Sequence, residues 1–298
     1  MVKNRHDADR RIPEISFAAP AGTPAGVEVL SLAGLRDRVP GERLAAPQRP
    51  DFHQLIALTG GTLWHTVDFT AYALEPGSWL WVRPGQVQQW GDPTRAEGIL
   101  ILFRQDFLDP ATTAGARTED LHAPVLRRPL PQDARALRLA ADHLAAEFKA
   151  LGRLPLEIHT EALRHLLAVL VLRLAHLTAP AGSPAPEPDA TYLRFRDAVE
   201  RNFARTRRVE DYAEALGYSG RTLARATLAA AGLGAKEFID RRVVLEAKRL
   251  LAHSDHSAAR IADRLGFSSA THFNKYFHQR TGQTPIAFRD TVRGHGPG

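Results

Sequence analysis

The sequence predicts an α+β protein: a β-rich N-terminal domain, a helical segment, and an all-α domain built on a repeated two-helix motif. Three observations predict it. Short β-type runs punctuated by Gly and Pro fill residues 51–103, the spacing of a small barrel or sandwich. After Pro131 the apolar period lengthens to that of helices. Residues 178–190 carry four prolines in thirteen positions, which forbid a helix and favour an extended spacer between domains.

Taken in order, residues 1–50 show no sustained period and read as an extension with one short strand near Val27–Leu30. A barrel is expected over 51–130. Phe52 to Leu58, the Gly60-Gly61 pair, and Leu63 to Phe69 read as a hairpin. Ser78 to Val82, Gln86 to Trp90 and Gly98 to Phe103 are further strands, with Arg83-Pro84-Gly85 as a breaker. A helical segment follows over 131–178, with helices at Ala136–Ala150 and Leu156–Leu177. The second is apolar over more of its surface than one core face needs. It reads equally as a dimerisation surface or as an internal cover for the barrel. The Pro-rich linker spans 179–190, and the last domain spans 191–298.

Composition sets bounds. The chain has 298 residues, 44% of them hydrophobic, enough for two domains with real cores. There is no cysteine, which excludes disulfides, Cys-ligated zinc, iron–sulfur clusters and a cysteine nucleophile. No stretch approaches the ~18 apolar residues of a membrane span, and Met1 to Arg11 is polar rather than a secretory signal. A cytoplasmic protein with no membrane partner is expected. The net charge is +6, but residues 191–298 alone carry +8 and the remainder −2. A basic domain on a slightly acidic body points to one domain that meets a polyanion.

That basic domain holds one motif twice. Tyr212-Ala213-Glu214-Ala215-Leu216-Gly217-Tyr218-Ser219 is echoed by Ile261-Ala262-Asp263-Arg264-Leu265-Gly266-Phe267-Ser268 at an offset of 49. Leu223, Arg225 and Gly232 are echoed by Phe273, Lys275 and Gly282 at an offset of 50, so the second copy has one extra residue in the turn or helix start. Each position has a reason. Ala213 and Ala262 let two helices cross closely. Gly217 and Gly266 end the first helix with a positive φ. Leu216, Leu265, Tyr218, Phe267, Leu223 and Phe273 fill a small core, and Ser219 and Ser268 are placed to N-cap the second helix. That helix then turns polar and basic groups outward. Two such units in register are helix-turn-helix units. A helix over Phe238–His253, roughly 24 Å long at 1.5 Å per residue, would be the strut that spaces them for one DNA turn, roughly 34 Å.

The tail Gly266-Phe267-Ser268-Ser269, Phe273, Lys275, Phe277, Gly282, Thr284-Pro285 and Phe288-Arg289 resembles the signature of the AraC/XylS transcriptional regulators, and residues 191–298 look like their DNA-binding domain. Residues 51–103 resemble, less closely, their cupin-type sensor. The resemblance implies a cupin-like β-barrel, a helical dimerisation segment, and a seven-helix domain reading two successive major-groove segments. It also implies double-stranded DNA, a small-molecule effector, RNA polymerase and a second copy of the chain as partners. Two departures stand out: Thr227-Leu228 where the family puts an aromatic and a basic residue, and Lys275 where Arg is common.

Arg221 and Arg225 share a helix face and would reach guanine edges or phosphates, beside Thr222. Thr271, His272, Asn274 and Lys275 are the matching group, and Ser219 and Ser268 can also donate to phosphate. Arg207, Arg208, Arg241 and Arg242 read as non-specific contacts or solvated charges. In the sensor, His53, Trp64, His65, Trp81, Gln88 and Trp90 are the candidates for an effector pocket, and the tryptophans, with Trp79, read equally as core. Gln88 stands where the resemblance would put a metal-ligand His, and no His-x-His occurs, so neither a metal nor a cofactor is expected. No phosphate loop, nucleophile elbow or dinucleotide fingerprint appears. The reading is a non-enzymatic, one-component regulator; the alternatives are a cupin-type metal enzyme with an appended DNA-binding domain, or a constitutive regulator without ligand.

Overall fold

A computed structural model describes residues 12–19, 23–120, 123–177 and 189–293. Residues 1–11 and most of the Pro-rich linker lie outside the described residues. The chain divides into two compact units, 13–182 and a second that contains 183–298.

The first unit starts with β1 (Glu14–Ile15), β2 (Val27–Ser31), α1 (Leu32–Arg38), α2 (Gly41–Ala45) and β3 (Arg49–Pro50). Then come β4 (His53–Gly60), β5 (Leu63–Val67), β6 (Thr70–Leu74), β7 (Trp79–Val82), β8 (Gln88–Trp90) and β9 (Glu97–Phe103). It ends with α3 (Pro110–Ala116), β10 (Leu126–Arg127), α4 (Pro131–Lys149) and α5 (Leu156–Ala175). A five-stranded antiparallel sheet has the order β10-β7-β4-β9-β2, a three-stranded sheet β6-β5-β8, and β1 pairs with β3. The strand expected near Val27–Leu30 is therefore an edge of the main sheet.

Alternation along the strands explains the layers. Ile56, Leu58, Leu80, Val82 and Leu100 point to one side and meet Leu63, Val67, Leu74 and Trp90 of the smaller sheet. Leu55, Ala57, Trp79, Trp81, Ile101 and Phe103 point to the other and meet Leu137 and Leu144 of α4 and Leu163, Leu167, Leu170 and Leu174 of α5. Full burial of each Leu, Ile, Val or Phe among them is worth about 1.5–3 kcal/mol. Of the barrel or sandwich expected here, the strands form an unclosed, two-sheet arrangement. Among the described residues the ladders make separate sheets, and the larger one is covered on its second face by helices rather than curled on itself.

The hairpin expected around Gly60-Gly61 is also corrected. Both edges of β4 are taken by β7 and β9, so β5 crosses to the other sheet. Gly61 (φ +71°) makes the crossing, and a Cβ there would lie 1.9 Å from the Arg95 carbonyl oxygen. The true hairpin joins β5 to β6 through Asp68 and Phe69, both at positive φ (47° and 67°), the two-residue turn that suits twisted strands.

The second unit has seven helices among its described residues: α6 (Ala190–Asn202), α7 (Val209–Leu216), α8 (Gly220–Ala231), α9 (Ala235–His253), α10 (Ala258–Arg264), α11 (Ala270–Thr281) and α12 (Pro285–Val292). The doubled motif forms two helix pairs, α7–α8 and α10–α11, against α9. Phe195, Leu223, Ile239, Val243, Ile261, Phe273 and Phe277 are buried between them.

Candidate functional site

The second helix of each pair is held by its caps and presents its polar face to solvent. Ser219 caps α8, its Oγ accepting from Thr222 N at 3.0 Å. In the second pair the cap is Ser269, accepting from His272 N at 3.2 Å. Ser268, placed at the cap by its offset of 49, instead contacts His272 Nδ1 through its Oγ at 2.7 Å. The extra residue thus lies in the second turn, and from the caps onward the two helices match at an offset of 50.

Leu223 and Phe273 face inward with no exposure, and two residues on, Arg225 and Lys275 are exposed. Arg221, Ser219, Ser268, Thr271, His272 and Asn274 are exposed as well, and Thr222 is half-buried. The structure therefore brings the predicted residues to the outer faces of two equivalent helices. Thr227, opposite an aromatic by the repeat (Phe277), is fully buried and donates its hydroxyl to Leu223 O at 2.7 Å, while Leu228 is 60% exposed.

The spacing of these helices is built in. Arg207 donates to Leu265 O (2.8 Å) and Gly266 O (3.1 Å) and stacks on Phe267 at 3.9 Å. Gly266 (φ +70°) lets the second turn close on Ala204, whose carbonyl oxygen would lie 2.0 Å from any Cβ there. Asp240 of α9 accepts from Tyr276 Oη (2.8 Å), Arg280 Nη2 (2.7 Å) and Lys236 Nζ, fixing α11 on the strut. Buried Arg242 pairs with Glu200 at 2.8 Å and Glu246 at 3.1 Å. Arg207 and Arg242 thus tie elements of this unit together, and Arg241 pairs with Glu237 on its own helix. Sequence reasoning missed Asp240, Tyr276 and Arg280, since nothing local marks a tie between elements 36 and 40 residues apart.

In the sheet unit the six candidates separate. His53 and Trp81 lie on the helix-covered face of the five-stranded sheet, where Trp81 Nε1 donates to His53 Nδ1 at 3.3 Å and His53 stacks on Phe103 at 4.6 Å. His65, Gln88 and Trp90 lie on the inner side of the three-stranded sheet, His65 Nε2 donating to Gln88 Oε1 at 3.1 Å and its ring edge-on to Trp90 at 4.7 Å. Trp64 is 62% exposed. Burial, then the Arg83 charge, pulls His53 down to about 3. Burial pulls His65 down to about 4 against the opposing Gln88 hydrogen bond. Both are neutral rings inside apolar layers. Trp79 joins the core on the same face as Trp81. Among the described residues no group of three or more His, Asp or Glu is placed to hold a metal.

Two family models match this chain in order: the AraC-like ligand binding domain over residues 29–173 and the helix-turn-helix domain over 212–291. The chain belongs to the AraC-type transcriptional regulators. As an AraC-type regulator it joins an N-terminal ligand-binding domain to a C-terminal helix-turn-helix DNA-binding domain. Its similarity to the HTH-type transcriptional activator RhaS of Klebsiella pneumoniae (strain 342) is 25% identity over 265 residues, 87% of this chain and 92% of that protein. With RhaS of Salmonella arizonae it is 33% over 105 residues, 35% and 38% of the two chains. Among solved structures, ToxT from Vibrio cholerae O395 aligns over 90% of this chain and 98% of its own at 11% identity and a TM-score of 0.43. The DNA-binding domain of AdpA in complex with a target DNA aligns over 37% and 97% at 29% identity and a TM-score of 0.33.

Proposed function

We propose that this AraC-type regulator reads a promoter element with α8 and α11 in successive major grooves and changes its output when a small organic effector binds the sheet unit. It acts as an activator that contacts RNA polymerase, as a cytoplasmic homodimer without catalytic activity. The observation that carries the reading is the pair of equivalent helices, each capped by serine and each with its basic residue, Arg225 or Lys275, exposed two positions after a buried core residue. Arg225 is positioned for a bidentate contact to guanine, and Lys275 for a point contact to guanine or phosphate. Ser219, Arg221, Thr222, Thr271, His272 and Asn274 supply the flanking edge and phosphate contacts, and Ser268 holds the His272 ring in place. For the dimer, the support is the outer face of α5, where Ile158 and Val169 are exposed three turns apart on one stripe.

The test is DNA binding by the full chain to the sites recovered by genomic footprinting. Arg225→Ala is expected to weaken specific binding by about 1–3 kcal/mol and relax sequence preference at one position. Lys275→Ala is expected to lower affinity and the salt dependence together. Unchanged affinity and preference in both variants would remove the reading.

A further inference from the structure

The helices α8 and α11 are copies in their core residues and turns, but not on their outer faces. On α8 the period of the helix puts Arg221, Arg225 and Leu228 on one stripe, within about 60° of one another, with Ala229 beside it. The opposite side is spent on the core, where Leu223, Ala226 and Thr227 are buried. Leu228 is left 60% exposed, and Ala229 is exposed as well. α8 carries no acid, so nothing on the helix offsets its two arginines. At the offset of 50 the same places on α11 hold Thr271, Lys275, His278 and Gln279, each polar or charged and each exposed.

A single exposed leucine is ordinary, but this one shares its direction with two charges. Whatever lies against Arg221 and Arg225 lies against Leu228 too. Two unopposed guanidiniums call for a polyanion. Of the groups that the major groove of DNA presents, one is apolar: the C5 methyl of thymine. Leu228 lies three residues past Arg225, about 4.5 Å along the axis, which spans between one and two base pairs at about 3.4 Å each. A leucine is shorter than an arginine, so it meets a methyl only where the helix lies close to the bases. Ala224 and Ala229 flank the stripe and leave that approach open, whereas Asn274 and Gln279 stand at their places on α11.

We infer that Leu228 is a specificity-determining residue: its side chain packs on the C5 methyl of a thymine one or two base pairs from the guanine taken by Arg225. The α8 half of the operator is then read by hydrogen bonds and an apolar contact together, and the α11 half by polar contacts. Leucine in place of the basic residue usual in the family exchanges a charge that any DNA attracts for a contact that only thymine offers. This inference rests on the reading of α8 as a major-groove helix.

The test is a double-mutant cycle across the interface, with the full chain and operator duplexes recovered by footprinting. Thymines within about two base pairs of the guanine whose preference Arg225→Ala relaxes are replaced one at a time by deoxyuridine, which removes the methyl and nothing else. For the parent chain one such replacement is expected to raise Kd about fourfold, the worth of one buried methyl group. Leu228→Ala is expected to raise Kd on the natural operator by at least as much, and then to be insensitive to that replacement. Deoxyuridine in the α11 half is expected to affect both chains equally. Alanine is the best helix former and the site is exposed, so the variant keeps the fold, and equal melting temperatures check it. A parent chain indifferent to deoxyuridine at every such position, or a Leu228→Ala chain that keeps the full penalty, would overturn the inference. So would a Leu228→Ala chain that binds the operator unchanged but loses activation in a reaction with RNA polymerase, which would turn the leucine toward a protein. Each of these failures leaves the major-groove reading standing as long as Arg225→Ala still relaxes its guanine; loss of that effect removes the reading instead.

Discussion

Arg83 and Arg225 both stand among apolar neighbours, yet one is buried over Trp81 and the other is exposed on α8. What separates them is the period of the element. In a strand, two residues after Trp81 is inward; in a helix, two residues after Leu223 is outward. The same logic puts His53 and His65 inside. With folded pKa values of about 3 and about 4 they lie below their unfolded value. The sign follows: below about pH 6.5 the unfolded chain binds the extra protons, so stability is full above that value and drains as pH falls toward 4. The melting temperature of the sheet unit is therefore expected to fall steadily between about pH 6.5 and about pH 4.5. A flat profile across that range would contradict neutral burial of both rings. Gln88 is the partner of His65, and the Arg83 charge works on His53 in the same direction as burial.

At the scale of elements, the two helix pairs are near copies that do unequal work. Gly217 and Gly266 have nearly the same left-handed φ, 69° and 70°. A Cβ at Gly217 would meet nothing within 4 Å, whereas at Gly266 it would overlap the Ala204 carbonyl. Gly217→Ala should cost about 1–2 kcal/mol for backbone strain alone. Gly266→Ala should cost clearly more in urea unfolding, and should also weaken DNA binding, because the Ala204 and Arg207 contacts set the spacing of α8 and α11. Equal costs would show that this contact does not constrain the pair. The repeat, its turns and its outward basic residues were legible because helix pairing imposes local rules on consecutive residues. The cap shift from Ser268 to Ser269 was half legible, since the offset changed from 49 to 50 but the place of the extra residue was open.

For the whole molecule, α4 and α5 resolve what a single helix could not show. Leu163, Leu167, Leu170 and Leu174 cover the sheet, so the inner stripe of α5 is spent on the fold. Ile158 and Val169 remain outside it. If this face joins two copies, Ile158→Asp with Val169→Asp should convert a dimer to a monomer in sedimentation while leaving the melting of the sheet unit nearly unchanged. A variant pair that stays dimeric would move the interface elsewhere. No helix among the described residues is long and apolar enough to cross a membrane.

The sequence by itself determined the two-domain division, the doubled helix pair and which of its side chains turn outward, because each follows from neighbours within about a dozen residues: periodicity, caps, glycine and charge. Only the tertiary structure decided that the strands form separate sheets, that β4 and β5 do not pair, that the effector candidates fall on different sides of two layers, and that Arg83 is enclosed. Those outcomes depend on which strand edges are already taken and which faces helices cover, and such long-range competition leaves no mark in local pattern.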